Sequence, residues 1–409
     1  MNGTLNDRQA PQRRMSLEDI AALDKKYSFN LFARAPLCFE RGEGTVLFGI
    51  DGRRYLDFIG GIAVTALGHA HPAITGAIKA QAEKFIHCTN LYYIEGQALA
   101  AKALAEASCA DRVFFCNSGA EANEAALKLA KIYHYKAGRP EKTQFVTLFD
   151  SFHGRTLATV AATGQPKYQK PYEPLLPWFA HVPMNDIAAL RAAVSRERTA
   201  AVMLEAVQGE TGVHVADRAF VEAAAQACRD AGALLVFDEV QTGLGRTGKL
   251  FAYEHYGVEP DIFTLAKALG AGFPVGAMLA KEGVAAAFEP GDHGSTYAGN
   301  PLACAVVNAA LGEIIGGRLH EAAAEKGAYL MGRLRALEPA RHKVREVRGL
   351  GLMAAVEFEE PAAAEVRNAM RDAGYLVGSV GASVIRMLPP LTVSYAEIDE
   401  AVAALAAAI

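Results

Sequence analysis

Three segments of this sequence carry side chains that could do chemistry together. The apolar run Ile262-Phe263-Thr264-Leu265-Ala266 ends in Lys267, and a glycine-rich turn follows from Gly270 to Pro274. An ammonium group resists burial, and burial lowers its pKa toward neutrality, which makes a nucleophilic amine. A lysine reaching out to solvent is the plainer reading of that position alone. The run Ala233-Leu234-Leu235-Val236-Phe237 ends in Asp238-Glu239. A carboxylate there is costly unless cations or hydrogen-bond donors meet it, although a loop-bracing role fits as well. After Val113-Phe114-Phe115-Cys116 comes Asn117-Ser118-Gly119-Ala120-Glu121. Ser118 and Glu121 have capping-box spacing, and the small residues leave backbone N–H groups open to an anion. Taken singly, this is a good helix start. Taken together, the three sites are what pyridoxal 5'-phosphate requires. The lysine holds the aldehyde as a Schiff base, the acid pairs with the pyridinium nitrogen, and the helix N-terminus takes the phosphate.

Such groups need a frame that brings strand ends together. Short apolar runs at 112–116, 144–149, 200–204, 233–237, 262–266 and 276–280 alternate with amphipathic helical stretches. Buried strands with intervening helices predict an α/β fold whose mostly parallel sheet is covered on both faces. Functional groups then gather where strands end and helices begin. Ahead of this region, TVLFGI and RYLDFI flank Asp51-Gly52, a hairpin turn pair, and a helix is expected near residues 16–27. The last hundred residues predict helices at 320–337 and 362–373, strands at 351–358 and 383–387, and a final helix opened by the capping box Ser394 to Glu397. The expected division is a flexible tail at 1–14, an N-terminal segment of the small lobe at 15–60, a large cofactor domain at 61–310, and a small α+β domain at 311–409.

Composition excludes several other functions. With 41 Lys plus Arg against 45 Asp plus Glu in 409 residues, the formal charge is −4, which gives no general attraction for nucleic acid or an anionic membrane. The hydrophobic share of 51% is ample for a large core. No stretch of about 20 apolar residues predicts a membrane span. The polar N-terminus lacks the apolar core of a signal peptide, and six scattered cysteines show neither a C-x-x-C pair nor metal-ligand spacing. A cytoplasmic protein with free thiols and no metal is expected.

The motifs GGIAVTALGHAHP (60–72), FFCNSGAEANEAALKLA (114–130), FHGRT (152–156), EAVQGETGV (205–213), the block from 234 to 280, and HGSTYAGNPLACA (293–305) carry a resemblance over nearly the whole chain. The sequence resembles the class III (ω-amino acid) aminotransferases, most closely the acetylornithine aminotransferases. The resemblance implies fold type I, with a large, mostly parallel sheet of the seven-stranded type and a smaller α+β domain. It implies that Lys267 bonds the cofactor and Asp238 partners its ring nitrogen, while Phe152 and Val240 pack the ring's two faces. Gln241 sits near the ring hydroxyl, Ser118, Gly119 and Ala120 form the phosphate cup, and Thr296 reaches the phosphate from a neighbouring subunit of a homodimer. For substrate, Arg155 takes the carboxylate of acetylornithine or the distal one of glutamate, and Arg386 takes the α-carboxylate of glutamate or 2-oxoglutarate. Glu210 neutralises Arg386 when the amino donor presents no carboxylate there, and Ser295 adjoins the substrate. The activity implied is ping-pong transfer of the terminal amino group from N-acetylornithine, or a related ω-amine, to 2-oxoglutarate, with arginine biosynthesis as its setting.

Three departures bear on specificity. Ala206 stands where the family commonly has proline, and Ala298 matches a residue frequent in 4-aminobutyrate enzymes. Ile62 replaces a tyrosine of ornithine enzymes. Succinylornithine, 4-aminobutyrate and ornithine aminotransferases therefore stay open as alternatives. A literal G-x-G-x-x-G at 243–248 offers a remote second class, an NAD-dependent dehydrogenase. Five residues separate it from the preceding apolar run, where a tight strand-to-helix turn is needed. His69-x-His71 has no third ligand at metal-site spacing and is expected to belong to a loop.

Overall fold

The computed structural model describes residues 15–338 and 340–409; the expected tail at 1–14 lies outside the described residues. Its centre is a seven-stranded sheet made of β1 (Arg112–Cys116), β2 (Gln144–Leu148), β3 (Phe179–Val182), β4 (Thr199–Leu204), β5 (Leu234–Asp238), β6 (Ile262–Leu265) and β7 (Gly276–Ala280). The spatial order is β1-β7-β6-β5-β4-β2-β3. β5 pairs in parallel with β4 and β6, and β2 pairs in parallel with β3 and β4. β7 runs antiparallel to both its neighbours, β6 and β1. Six of these strands sit within a residue or two of the expected positions. The edge strand β3 was not expected from the sequence, because its four residues, Phe-Ala-His-Val, offer neither a long apolar run nor clean alternation.

Alternate residues along these strands enter separate cores, as a period of two requires. Leu235, Phe237, Phe263 and Leu279 join one cluster, and Leu234, Val236, Ile262 and Met278 join another beneath the helix Gly119–Lys136. Both faces are therefore covered, and the strand ends are left as the place where polar groups can meet solvent.

The remaining strands form smaller sheets. The 51–52 turn joins Val46–Gly49 to Arg54–Asp57 as an antiparallel hairpin, as expected. Phe39–Glu43 adds on one side, and Tyr375–Leu376 pairs in parallel with Arg54–Asp57 on the other. Chain from the two ends of the sequence thus shares a sheet. Val344–Leu350, Met353–Phe358, Val384–Met387 and Gly378–Val380 make a second antiparallel sheet. The last helix, Tyr395–Ala408, begins with the reciprocal capping box of Ser394 and Glu397.

The G-x-G-x-x-G segment does not open a helix; it is a run of turns that serves as a socket. Gly248 has φ +91°, and a Cβ there would lie 2.9 Å from the Cβ of Ala324 on the helix Leu319–Arg335. Arg246, fully buried, donates to the carbonyls of Leu352 and Pro389. The glycines therefore let the loop after β5 meet the C-terminal elements closely. His69 hydrogen-bonds Asp57 at 2.8 Å, and His71 caps the helix Pro72–Ala82. Among the described residues, no single helix is long and apolar enough to cross a membrane.

Candidate active site

A cavity of about 670 Å³ opens where β1, β4, β5 and β6 end. Ser118, Gly119, Ala120, Phe152, Arg155, Glu210, Asp238, Val240, Gln241 and Lys267 all line it, so sequence-distant residues meet at one place. Arg386 lies behind Glu210: its guanidinium donates to the Gly209 carbonyl and to Glu210 Oε2, the latter at 3.4 Å. Ser295 and Thr296 do not line this cavity. Ser295 accepts from Asn117 Nδ2 at 3.0 Å beside a neighbouring hollow, and Thr296 is exposed.

The acid at the end of β5 is held tightly. Asp238 Oδ2 accepts from Asn123 Nδ2 and from the His153 ring, both at 2.8 Å, and Oδ1 accepts from the Val240 backbone N–H at 3.0 Å. Burying a carboxylate costs several kcal/mol, and hydrogen bonds to a charged group return about 1.5–3 kcal/mol each, so three donors can offset that penalty. Burial opposes a charge on His153, yet the hydrogen bond and charge of Asp238 overcome it and hold the imidazole pKa above its usual value. Asn123 is itself fixed, because its Oδ1 accepts from Thr264 Oγ1 at 2.7 Å and its Nδ2 also donates to the His153 carbonyl. β6 thereby braces the acid of β5.

Lys267 follows β6 with φ +39°, a left-handed backbone that a non-glycine residue adopts only when its surroundings enforce it. Burial depresses its pKa, and the charges of Asp238 and Glu205 offset this only in part. Among the described residues, no side chain or carbonyl hydrogen-bonds its amine, which leaves Nζ free for a ligand in the cavity.

At the helix N-terminus, Ser118 Oγ accepts from Glu121 N–H at 3.2 Å. The other half of the expected box is displaced by one residue, since Glu121 accepts from the Asn117 N–H at 2.6 Å. By helix geometry the first N–H groups, at Gly119 and Ala120, lack intrahelical partners and favour an anion. Gly119 also permits a close approach: a Cβ there would lie 2.7 Å from Val240 Cγ1.

Sequence reasoning did not single out Glu205, His153 or Asn123. Glu205 follows β4 as Asp238 ends β5, so the same strand-end logic reaches it. Burial pushes its pKa up to about 8, while Oε2 accepts from the Phe152 N–H at 3.0 Å. His153 lay inside the FHGRT motif, but nothing in its spacing announced an acid 85 positions on.

The set fits pyridoxal phosphate. It has an anion-binding helix end, a fixed carboxylate for a protonated ring nitrogen, a free amine, and at Gln241 Oε1 a buried acceptor with no partner among the described residues. The sequence pattern of the family Aminotransferase class-III matches residues 31–409. The chain belongs to the class-III aminotransferases. Its cofactor is pyridoxal 5'-phosphate. The chain is similar to the acetylornithine aminotransferase of Gloeobacter violaceus, at 51% identity over 93% of this chain and 95% of that protein. The acetylornithine aminotransferase of Methanocaldococcus jannaschii is 48% identical over 96% of this chain and 98% of its own length. Among solved structures, ornithine aminotransferase from Toxoplasma gondii superposes with a TM-score of 0.93 at 32% identity, covering 97% of this chain and 95% of that one. Class-III membership sets aside the dehydrogenase reading, whose glycines form the socket described above.

Proposed function

We propose that this class-III aminotransferase moves the terminal amino group of N-acetylornithine, or a closely related ω-amino acid, to 2-oxoglutarate, forming glutamate in two half-reactions at one site. The observation that carries this is the contact of Glu210 with buried Arg386 at the cavity, with Arg155 beside it unpaired. A pocket that can silence one arginine suits two substrates that differ by one carboxylate. With Glu210 on Arg386, the donor's carboxylate goes to Arg155 and its terminal amine meets the reacting centre. When 2-oxoglutarate enters, its α-carboxylate takes the Arg386 fork from Glu210 and its distal carboxylate takes Arg155.

The cofactor, when bound, serves as an electron sink for charge that develops on the substrate carbon. Lys267 would hold it covalently, and its Nζ would carry the proton at the substrate carbon. Asp238 keeps the ring nitrogen protonated, Phe152 and Val240 pack the ring faces, and Gln241 meets the ring hydroxyl. Ser118, Gly119 and Ala120 hold the phosphate. Thr296 acts from a neighbouring copy, so the working unit is a homodimer in the cytoplasm, and Ser295 adjoins the substrate. In this reading 61–310 form the cofactor domain, and 15–60 join 311–409 in the small lobe. N-acetylornithine is chosen over ornithine because the curated relatives at about half identity carry that name and Ile62 lines the cavity.

Side-by-side kcat/KM values for N-acetylornithine, succinylornithine, ornithine and 4-aminobutyrate test the choice, with N-acetylornithine expected to lead. A clear preference for 4-aminobutyrate would overturn the substrate and leave the chemistry standing.

A further inference from the structure

Arg155 is exposed, and among the described residues it makes no hydrogen bond and no ion pair. Its guanidinium lies instead against aromatic rings: its Cζ is 3.9 Å from the ring centroid of Tyr168 and 5.5 Å from that of Phe152. The two rings meet edge to face, with centroids 6.1 Å apart and planes at 80°. Lys167 Nζ is 4.7 Å from the Tyr168 centroid, so two cations share that ring.

Stacking differs from an ion pair in what it leaves free. A carboxylate partner would occupy the N–H fork of the guanidinium, whereas an aromatic face engages the flat surface and leaves the edge donors available. An otherwise unrestrained arginine loses rotamer freedom when a ligand fixes it, and a stack that orders it beforehand removes part of that loss.

The ring itself is anchored. Tyr168 lies in the short helix Pro166–Gln169, between two glutamines that tie this turn to neighbouring backbone. Gln165, buried, donates to the Ser151 carbonyl at 2.8 Å, and Gln169 donates to the Thr163 carbonyl at 2.8 Å. Residues 151 and 163 bracket the segment that holds Phe152 and Arg155. The platform and the arginine are therefore fixed to one another over a short chain path.

We infer that Tyr168 is a positioning residue for substrate: its ring holds the Arg155 guanidinium over the cavity with the donor fork open to a carboxylate. This rests on the proposed role of Arg155. It adds that a residue outside the cavity lining governs binding of both substrates, since the same fork takes the donor carboxylate and then the distal carboxylate of 2-oxoglutarate.

The test uses holoenzyme with Tyr168→Phe, Tyr168→Leu and Arg155→Ala, measuring kcat, both KM values and the dissociation constant of the cofactor. Tyr168→Leu is expected to raise KM for N-acetylornithine and for 2-oxoglutarate by similar factors, about 3- to 30-fold, at nearly constant kcat and cofactor affinity. Tyr168→Phe keeps the aromatic face and should restore both KM values. If Tyr168→Leu lowers kcat and cofactor affinity together without a selective rise in KM, the ring merely supports Phe152 and the inference is overturned. If Tyr168→Leu leaves both KM values unchanged while Arg155→Ala raises them, the inference also fails, but the role of Arg155 stands. Unchanged KM values in Arg155→Ala would overturn that role itself.

Discussion

At the end of β5 the Asp238 carboxylate meets three donors, from Asn123, His153 and the Val240 backbone. At the end of the adjacent strand, β6, the Lys267 amine meets none among the described residues, on a backbone held at φ +39°. Asp238 and Thr264 face each other in register, so the two ends differ in construction rather than in location. The difference separates two demands on a buried charge. The Asp238 carboxylate is held in one place, and its three donors do that. In its proposed role Lys267 exchanges partners, and any strong internal partner would compete with the ligand. Depression of its pKa by burial works in the same direction, because a neutral amine is the reactive form.

The largest expected effect comes from Lys267→Ala. Transamination should fall by at least about 10³-fold, since the proposed role of Lys267 makes it both the attachment point and the proton carrier. Stability of the cofactor-free protein should hold or rise, because the amine has no partner to abandon and its burial opposes its charge. Single-turnover rates and denaturant midpoints read the two halves separately. Activity within about tenfold of the unaltered enzyme would break the contrast.

Asp238→Ala should show the opposite balance. It strands the donors of Asn123, His153 and Val240 in a buried setting, so unfolding free energy should drop by about 3–5 kcal/mol. The loss carries a pH signature. Pairing holds the His153 pKa above its ordinary value, so the stability from its imidazolium is fully present below about pH 6.5. That stability is lost as pH rises through the raised value, and the gap between Asp238→Ala and the unaltered protein should narrow accordingly. A gap that widens with pH would show that His153 is neutral in the folded state.

The two ends also differ in how far the sequence reveals them. Lys267 and Asp238 are each announced locally, by a charged residue closing an apolar run. Glu205 obeys the same rule, yet its run continues into Ala206 and Val207, both fully buried, so no polar boundary marks it. His153 and Asn123 are legible only through contacts at separations of 85 and 115 residues, which no local period encodes. The strands of the large sheet were readable as short apolar runs, and β4, β5, β6 and β7 are buried on both faces. β3 escaped as a short edge strand, and the reversed direction of β7 escaped because a buried apolar run looks the same in either orientation. The glycines at 243–248 show the converse error: the letters match a phosphate-binding turn, but Gly245 and Gly248 accommodate the helix Leu319–Arg335, and Gly243 lies against Leu265 and Glu239.

The smallest effect sharpens the contrast, because it lies on the one link between the strand ends. Thr264 belongs to β6, but its hydroxyl donates to Asn123 Oδ1 at 2.7 Å, and Asn123 passes the constraint to Asp238. Thr264→Val keeps the shape and removes that donor, leaving a buried amide oxygen without its partner. The expected cost is about 1–3 kcal/mol of stability, with Thr264→Ser close to the unaltered protein. Since Asp238 retains His153 and the Val240 N–H, kcat should fall only a few-fold, and the reactivity of Lys267 should not change. If Thr264→Val instead lowered transamination as much as Asp238→Ala, the acid's position would depend chiefly on β6. The ends of β5 and β6 would then be one cooperative unit, rather than a fixed charge beside a free one.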